Sequence, residues 1–307
     1  MFSSLVITFM IQKNFYKNIG LGLSLSFLFN FGLTPELTLK AQEVKSSQGN
    51  FRLEKLDQAQ KIDRSQLYAR GGQFKVGYAP LENQKYQPIE EVLIESQFFE
   101  TLAATLNQVF ILPSDINIVF AECGEINAFY SPDNQAIIMC YELIEDFAIF
   151  SAQYAATDEE WIKSTLGGTM YVFVHELGHA LIHVLELPVV GREEDAVDQL
   201  AVIIASEAGE FGELMAIVPA TQYQLRGSQA DARNVPYWDE HSLDLQRYYQ
   251  IICLFYGSNP SKYRTLATLA QLPGDRAQKC PAEYQKLYAN WTQLLQPHVR
   301  VDFSSQY

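Results

Sequence analysis

The chain has 307 residues, of which 48% are hydrophobic and 19% charged, and its formal net charge is −14. This composition is typical of a folded globular protein with a sizeable core. The acidity argues against a nucleic-acid-binding protein, because such a protein needs a basic surface to neutralise phosphates. We therefore expect no nucleic-acid partner.

Residues 1–41 have the pattern of an export signal. Lys13 and Lys17 form a positive region, and the apolar run Ile19–Leu33 that follows is too short for a typical membrane span. Cleavage after Ala41 would leave a mature protein without a stable membrane span. An uncleaved signal that anchors the N-terminus in a membrane is the alternative.

The four cysteines agree with export, because disulfides persist in oxidising compartments. None of them forms a CxxC pair, so a structural zinc knuckle is not indicated. Four cysteines allow three pairings. We predict Cys123–Cys140 and Cys253–Cys280, because each of these bridges closes a local loop.

Residues 42–72 are polar and are predicted to be a linker, and residues 73–307 to be the folded domain. In its first part, apolar alternation and turn residues predict strands, and helical spacing of apolar residues predicts one helix. The predicted strands are 74–78, 116–121 and a hairpin of 126–130 and 136–141, and the predicted helix is 89–110.

Beyond residue 143 the pattern becomes helical. The predicted helices are 159–185, 193–208, 242–256 and 282–295. Strands that precede helices in this way indicate an α+β fold, with an N-terminal α/β lobe to about residue 187 and a mainly helical lobe after it.

The motif that carries chemistry is HExxH, formed by His175, Glu176 and His179. On a helix the two histidines lie one turn apart on one face and can hold one zinc ion. Glu176 points about 100° away, where a carboxylate can accept a proton from a zinc-bound water. We therefore predict one catalytic Zn²⁺, with Glu176 as the general base.

A third zinc ligand is expected downstream, at Glu194. Asp198 lies four residues later on the same helix face and is expected to support a ligand histidine from behind. Glu193 and Asp195 are rival ligands, and all the acids together would also suit a helix N-terminus. His183, four residues beyond His179, could replace Glu194.

HExxH followed by ExxxD resembles the gluzincins, the thermolysin-like zinc metallopeptidases. Asn127-Ala128-Phe129-Tyr130 is similar to the edge strand on which those enzymes bind substrate. The resemblance implies a zincin-like fold, with a small mixed sheet whose edge strand lies over the HExxH helix, and implies that Asn127 and Ala128 bind substrate.

A closer similarity spans most of residues 75–290. It covers the segments around Cys123–Tyr141, HELGHAL, GREED and Glu240–Arg247, which look like a family of exported bacterial proteins with metallopeptidase motifs and no established role. It implies a location in the bacterial periplasm or outside the cell. The gap between the second histidine and the glutamate is shorter than in thermolysin, so the substrate preference of thermolysin is not expected.

His241 is the candidate for stabilising an oxyanion, because thermolysin-like enzymes use a histidine from the helical lobe. Asp239 or Glu240 could keep it protonated, although a helix-capping or surface role explains His241 equally well. Arg247 is expected to form a structural ion pair, and binding of a substrate carbonyl is the alternative. Further candidate donors are Tyr130, Tyr171 and Tyr237.

We therefore predict an exported zinc peptidase that acts on a peptide or protein substrate. One alternative is a zinc-binding scaffold or binding module without catalysis, and another is a zinc hydrolase of a non-peptide amide. The sequence leaves the substrate, endo- or exo-cleavage and the oligomeric state open.

Overall fold

A computed structural model of the protein describes residues 71–231 and 237–300. The predicted signal peptide, and all but the last two residues of the predicted linker, lie outside these ranges. Within the ranges, no helix is both long and apolar enough to cross a membrane.

The described chain contains one mixed sheet of four strands, in the order β1-β2-β4-β3. The β1–β2 and β2–β4 pairs are parallel, and β3 pairs antiparallel with β4 as the predicted hairpin. Strand β3 has a partner on one side only and is therefore an edge strand. The bounds are β1 Phe74–Tyr78, β2 Ile116–Ala121, β3 Ala128–Ser131 and β4 Ala136–Cys140.

Most of the described chain is helical, and the α+β class is confirmed. Short 3-10 turns cover Gln84–Tyr86 and Gln296–His298. The α-helices are α1 Gln87–Ser96, α2 Phe98–Val109, α3 Tyr141–Ala152, α4 Asp158–Val184, α5 Glu193–Glu207, α6 Gly209–Gln229, α7 Asp244–Ser258, α8 Arg264–Leu269, α9 Gly274–Ala277 and α10 Cys280–Leu295.

The prediction of one helix over 89–110 was wrong, because the chain breaks at Gln97. This residue has a left-handed φ of 49°, and its N–H bonds to the carbonyl of Ile94. The break redirects α2, so that Phe99 packs between the rings of Phe120 on β2 and Phe173 on α4, at centroid distances of 4.7 and 5.5 Å. Packing in the core therefore outweighs the continuous helical periodicity.

The four helices predicted after residue 143 are present within two residues of their predicted ends. Helix α4 begins where the side chain of Thr157 accepts a hydrogen bond from the N–H of Glu160. Helix α6 was not predicted, since Pro219 lies inside it and proline removes a helical hydrogen bond. It packs against α4, α5 and α7, and this packing supports the helix around the proline.

Both disulfides have the predicted pairing, Cys123–Cys140 and Cys253–Cys280. The first closes the loop that contains β3. The Glu142 carboxylate accepts hydrogen bonds from the backbone N–H groups of Cys123 and Gly124 in the same loop. The segment that leads into the edge strand is therefore held at both ends.

Candidate metal centre

The HExxH residues lie in the buried middle of helix α4. His175 and Glu176 are 4% and 7% exposed, and the rings of His175 and His179 are 5.1 Å apart. The helix packs against α3, α5 and α6 and against β3 and β4. Burying three ionisable groups in this way is costly unless a metal ion or a partner satisfies them.

Gly178, within the motif, lets helix α5 approach the two histidines. A Cβ atom at this position would lie 2.7 Å from a methyl group of Val197 on α5, closer than real contacts allow. With glycine here, the two helices pack closely, and the first turn of α5 lies against the histidine face of α4.

The Glu194 carboxylate lies between the two HExxH histidines. One oxygen, Oε2, is 3.0 Å from Nε2 of His175, and the other, Oε1, is 3.3 Å from Nε2 of His179. The other ring nitrogen, Nδ1, contacts a different carboxylate in each case: Asp198 for His175 and Glu193 for His179. The predicted third ligand is therefore close to both predicted histidine ligands.

The two neighbouring acids take other positions. Glu193 lies 2.7 Å from Nδ1 of His179, on the far side of that ring, and Asp195 accepts a hydrogen bond from the hydroxyl of Ser242 at 2.6 Å. Because only Glu194 contacts both Nε2 atoms, the geometry favours it over its two rivals.

The donor atoms suit a divalent metal ion. Ligand atoms of His175, Glu194 and His241 all lie within 4.8 Å of one another, and His179 approaches the same carboxylate from its other side. Imidazole nitrogens with one carboxylate form the donor set typical of a metal that activates water.

Asp198 contacts the ring nitrogen of His175 that does not face Glu194. Its Oδ1 is 2.8 Å from Nδ1 of His175, and it accepts two hydrogen bonds from Arg247, each at 2.7 Å. The Tyr171 hydroxyl donates a third at 3.3 Å, and the Arg247 guanidinium stacks 4.3 Å above the ring of Tyr223. Arg247 thus forms the predicted structural ion pair, and the network leaves Nε2 of His175 to face Glu194.

Charge in this cluster favours a cation. Burial lowers the pKa of His175, but Asp198 and Glu194 outweigh burial and raise this pKa to about 10. Burial raises the pKa of Glu194, yet three histidines hold it well below its usual value. Both carboxylates are therefore ionised and draw positive charge to the imidazole nitrogens.

Glu176 lies next to the edge strand. Burial raises the pKa of Glu176, although the neighbouring histidines and the backbone of Tyr130 in β3 act to lower it. The Tyr130 hydroxyl lies 2.8 Å from Nδ1 of His183 on α4. Strand β3 therefore lies over the HExxH helix, as the resemblance implied.

The predicted substrate-binding residues stand at the start of this strand. Asn127 is exposed; its side-chain oxygen accepts a hydrogen bond from the N–H of Ala128 at 3.0 Å, and its amide nitrogen donates to Glu125 at 3.3 Å. The backbone carbonyl of Asn127 accepts a hydrogen bond from the N–H of Cys140. These bonds orient the strand and leave its outer edge unpaired within the sheet.

Residues 78–295 match a protein family described as "Putative metallopeptidase". The chain belongs to this family. The match covers more than half of the chain, including every predicted site residue. No curated protein and no solved structure matches the chain. The family supports a metallopeptidase in general, without distinguishing the thermolysin-like group.

In this member of the family, His241 reaches the metal centre from the helical lobe. Its Nε2 is 3.0 Å from Oε2 of Glu194, and its ring lies parallel to that of His175 at 6.2 Å. Asp239, one of its two predicted partners, lies 3.1 Å from Nδ1. Contact with Glu194, helped by Asp239, raises the pKa of His241.

The remaining candidates lie away from the metal-binding cluster. His183 is exposed and contacts Tyr130, so the geometry favours Glu194 over His183 as a ligand. Tyr171 is buried against Asp198, and Tyr237 is exposed. Glu193 was predicted as a rival ligand or as part of an acidic cluster at a helix N-terminus, and its contact with Nδ1 of His179 was not predicted. No pattern in the sequence distinguishes the two nitrogens of one ring.

Proposed function

We propose that the protein is an exported zinc-dependent peptidase with the ligands His175, His179 and Glu194. The observation that carries the proposal is the Glu194 carboxylate between the two Nε2 atoms of an HExxH pair, with Glu176 beside them. The family match supports peptidase chemistry, and the two disulfides agree with export.

Glu176 is proposed to be the general base. When bound, zinc polarises a carbonyl and makes water more acidic. The raised pKa of Glu176, caused by burial, makes this carboxylate a better proton acceptor. It would take the proton from the attacking water and then pass it to the leaving amine.

The substrate is proposed to be an extended peptide. Strand β3 has a free edge, and an extended chain can add to such an edge through backbone hydrogen bonds. The backbone of Tyr130 is close enough to the Glu176 carboxylate to affect its pKa, which supports placing this edge beside the base. A peptide on β3 would therefore present its backbone to Glu176, with Asn127 and Ala128 as further contacts.

His241 is proposed to stabilise the oxyanion. A charged or hydrogen-bonding group aimed at developing negative charge lowers the barrier to acyl transfer. Contact with Glu194, helped by Asp239, raises the pKa of His241, which favours the protonated form that this role needs. Together with the ExxxD pair, this arrangement supports the thermolysin-like mechanism that the resemblance implied.

Removal of the metal tests the proposal. We expect the mature protein to carry one zinc ion per chain and to cleave members of an unbiased peptide library. A chelator should lower hydrolysis at least about 100-fold, and added zinc should restore it. The measurements are metal analysis and mass spectrometry of the library. Cleavage that persists in zinc-free protein would contradict the proposal.

A non-catalytic zinc protein is the second candidate, because a ligand atom of His241 lies within 4.8 Å of ligand atoms of both His175 and Glu194. Four protein ligands would close the site to substrate.

His241→Gln separates the two candidates, with His298→Gln as a remote control. For the enzyme we expect retained zinc, a kcat lower by about 10²–10³ and a nearly unchanged KM, because an oxyanion donor acts in the transition state. Loss of zinc from His241→Gln alone, in a protein without peptidase activity, would favour the scaffold.

A further inference from the structure

Exposed apolar side chains concentrate beside the metal centre. Within residues 71–231 and 237–300, the large apolar side chains that are at least 61% exposed are Ile126, Tyr154, Val190, Tyr237, Trp238 and Leu269. Four of these six lie within four residues of a site residue in the sequence: Ile126 is next to Asn127, Val190 comes four residues before Glu194, and Tyr237 and Trp238 come four and three residues before His241. Such exposure costs solvation free energy and marks a binding surface.

These four residues, which we call the apolar rim, border the site on two sides. Arg192, two residues after Val190, contacts the backbone carbonyl of His241 at 3.5 Å, and Asp195 bonds to Ser242. The loops that carry Val190 and Trp238 therefore meet beside Glu194. Ile126 lies on the opposite, sheet side, at the beginning of the edge-strand segment.

The same segments are strongly acidic. Each lobe contributes an acid that contacts a site residue: Glu125 contacts Asn127, and Asp239 contacts His241. The full set within 122–131, 183–195 and 237–242 is Glu122, Glu125, Glu186, Glu193, Glu194, Asp195, Asp239 and Glu240. Arg192 is the only lysine or arginine in these three segments.

We propose that the site selects cationic amphipathic peptides, with lysine or arginine interleaved with aliphatic or aromatic residues; this inference rests on the proposed peptidase function. Successive side chains of an extended peptide bound to β3 point to opposite faces. Basic side chains of the peptide can therefore contact the acids while its apolar side chains contact the apolar rim. The rings of Tyr237 and Trp238 can bind both apolar and cationic groups. An anionic lipid surface is disfavoured, since the acids would repel it.

Binding to the zinc-loaded Glu176→Gln protein tests this selectivity without requiring turnover. The probes are four fluorescent peptides of equal length: lysine with leucine and tryptophan, glutamate with leucine and tryptophan, lysine with serine, and serine with leucine. We expect the first to bind at least about tenfold more tightly than each of the others. Equal affinity for the first two peptides, or for the first and third, would overturn the proposal.

Matched variants locate the surface. In the Glu176→Gln background, the double variant Val190→Ser with Trp238→Ser should bind the lysine–leucine–tryptophan peptide about tenfold more weakly. The reason is that about 1.4 kcal/mol of binding free energy from apolar contact is lost. Glu125→Gln with Glu240→Gln should reduce discrimination against the glutamate peptide. Tyr154→Ser with Leu269→Ser, which removes two other exposed apolar residues away from the rim, should change nothing. Rim variants with wild-type affinity would overturn the proposal.

The two proposals fail separately. If the active protein cleaves library peptides without preference for basic and apolar residues, the selectivity is wrong and the peptidase stands. If the cationic amphipathic peptide binds selectively but the active zinc protein cleaves no peptide, the peptidase is wrong and the rim stands as a binding surface.

Discussion

Replacement of Glu176 by glutamine is expected to lower kcat by about 10²–10⁴ and to leave one zinc ion bound. The amide keeps the size of the carboxylate but cannot accept a proton. Zinc is retained because Glu176 is not a proposed ligand: the carboxylate that contacts the Nε2 atoms of both histidines belongs to Glu194. Metal analysis and single-turnover hydrolysis of a library peptide measure the two effects.

The matched control is Glu210→Gln, which makes the same substitution at an exposed position on α6. It should retain full kcat. Undiminished turnover by Glu176→Gln would contradict the general-base mechanism. Loss of zinc from the variant would instead show that Glu176 is itself a ligand.

Replacement of Glu194 by alanine is expected to abolish zinc binding at micromolar metal. The carboxylate contacts Nε2 of both HExxH histidines, and without it the two imidazoles and His241 have no anionic ligand. The loss of zinc affinity should be larger than the roughly 10–100-fold loss expected when a group that only hydrogen-bonds to a ligand side chain is removed. Zinc titration against a competing chelator measures the affinity.

The neighbouring acids provide a graded series of controls. Glu193→Ala should lower the affinity for zinc by about 10–100-fold, because Glu193 contacts only Nδ1 of His179. Asp195→Ala should bind zinc like the wild type, since Asp195 bonds to Ser242. A Glu194→Ala protein with wild-type affinity, or a larger loss in Asp195→Ala, would show that the third ligand is misassigned.

Separate variants of Glu193, Glu194 and Asp195 are needed because these three acids are consecutive on one helical turn. Side chains at 193, 194 and 195 point about 100° apart, so each meets a different group, and only Glu194 of the three contacts both Nε2 atoms. That direction depends on how α5 packs on α4, which the close contact between Gly178 and Val197 permits. Glu194 lies fifteen positions after His179, and this spacing does not predict how α5 is rotated about its axis against α4.

Local patterns in the sequence determined a large part of this protein. The strands, the long helix α4 and the HExxH motif follow from spacing over a few residues, because backbone geometry repeats with fixed periods. The two disulfide pairings were also predicted, because each bridge closes a short loop. The sequence therefore predicted which types of residue the candidate site contains, but not how they are arranged.

Only the tertiary structure decided how distant segments meet. It broke the predicted helix at Gln97, brought Arg247 onto Asp198 across 49 residues and placed His241 beside Glu194. It also set the rotation of α5 that turns Glu194 toward the histidines. These contacts depend on packing of whole helices, whose free energy is summed over many residues far apart in the chain, so no local period encodes them.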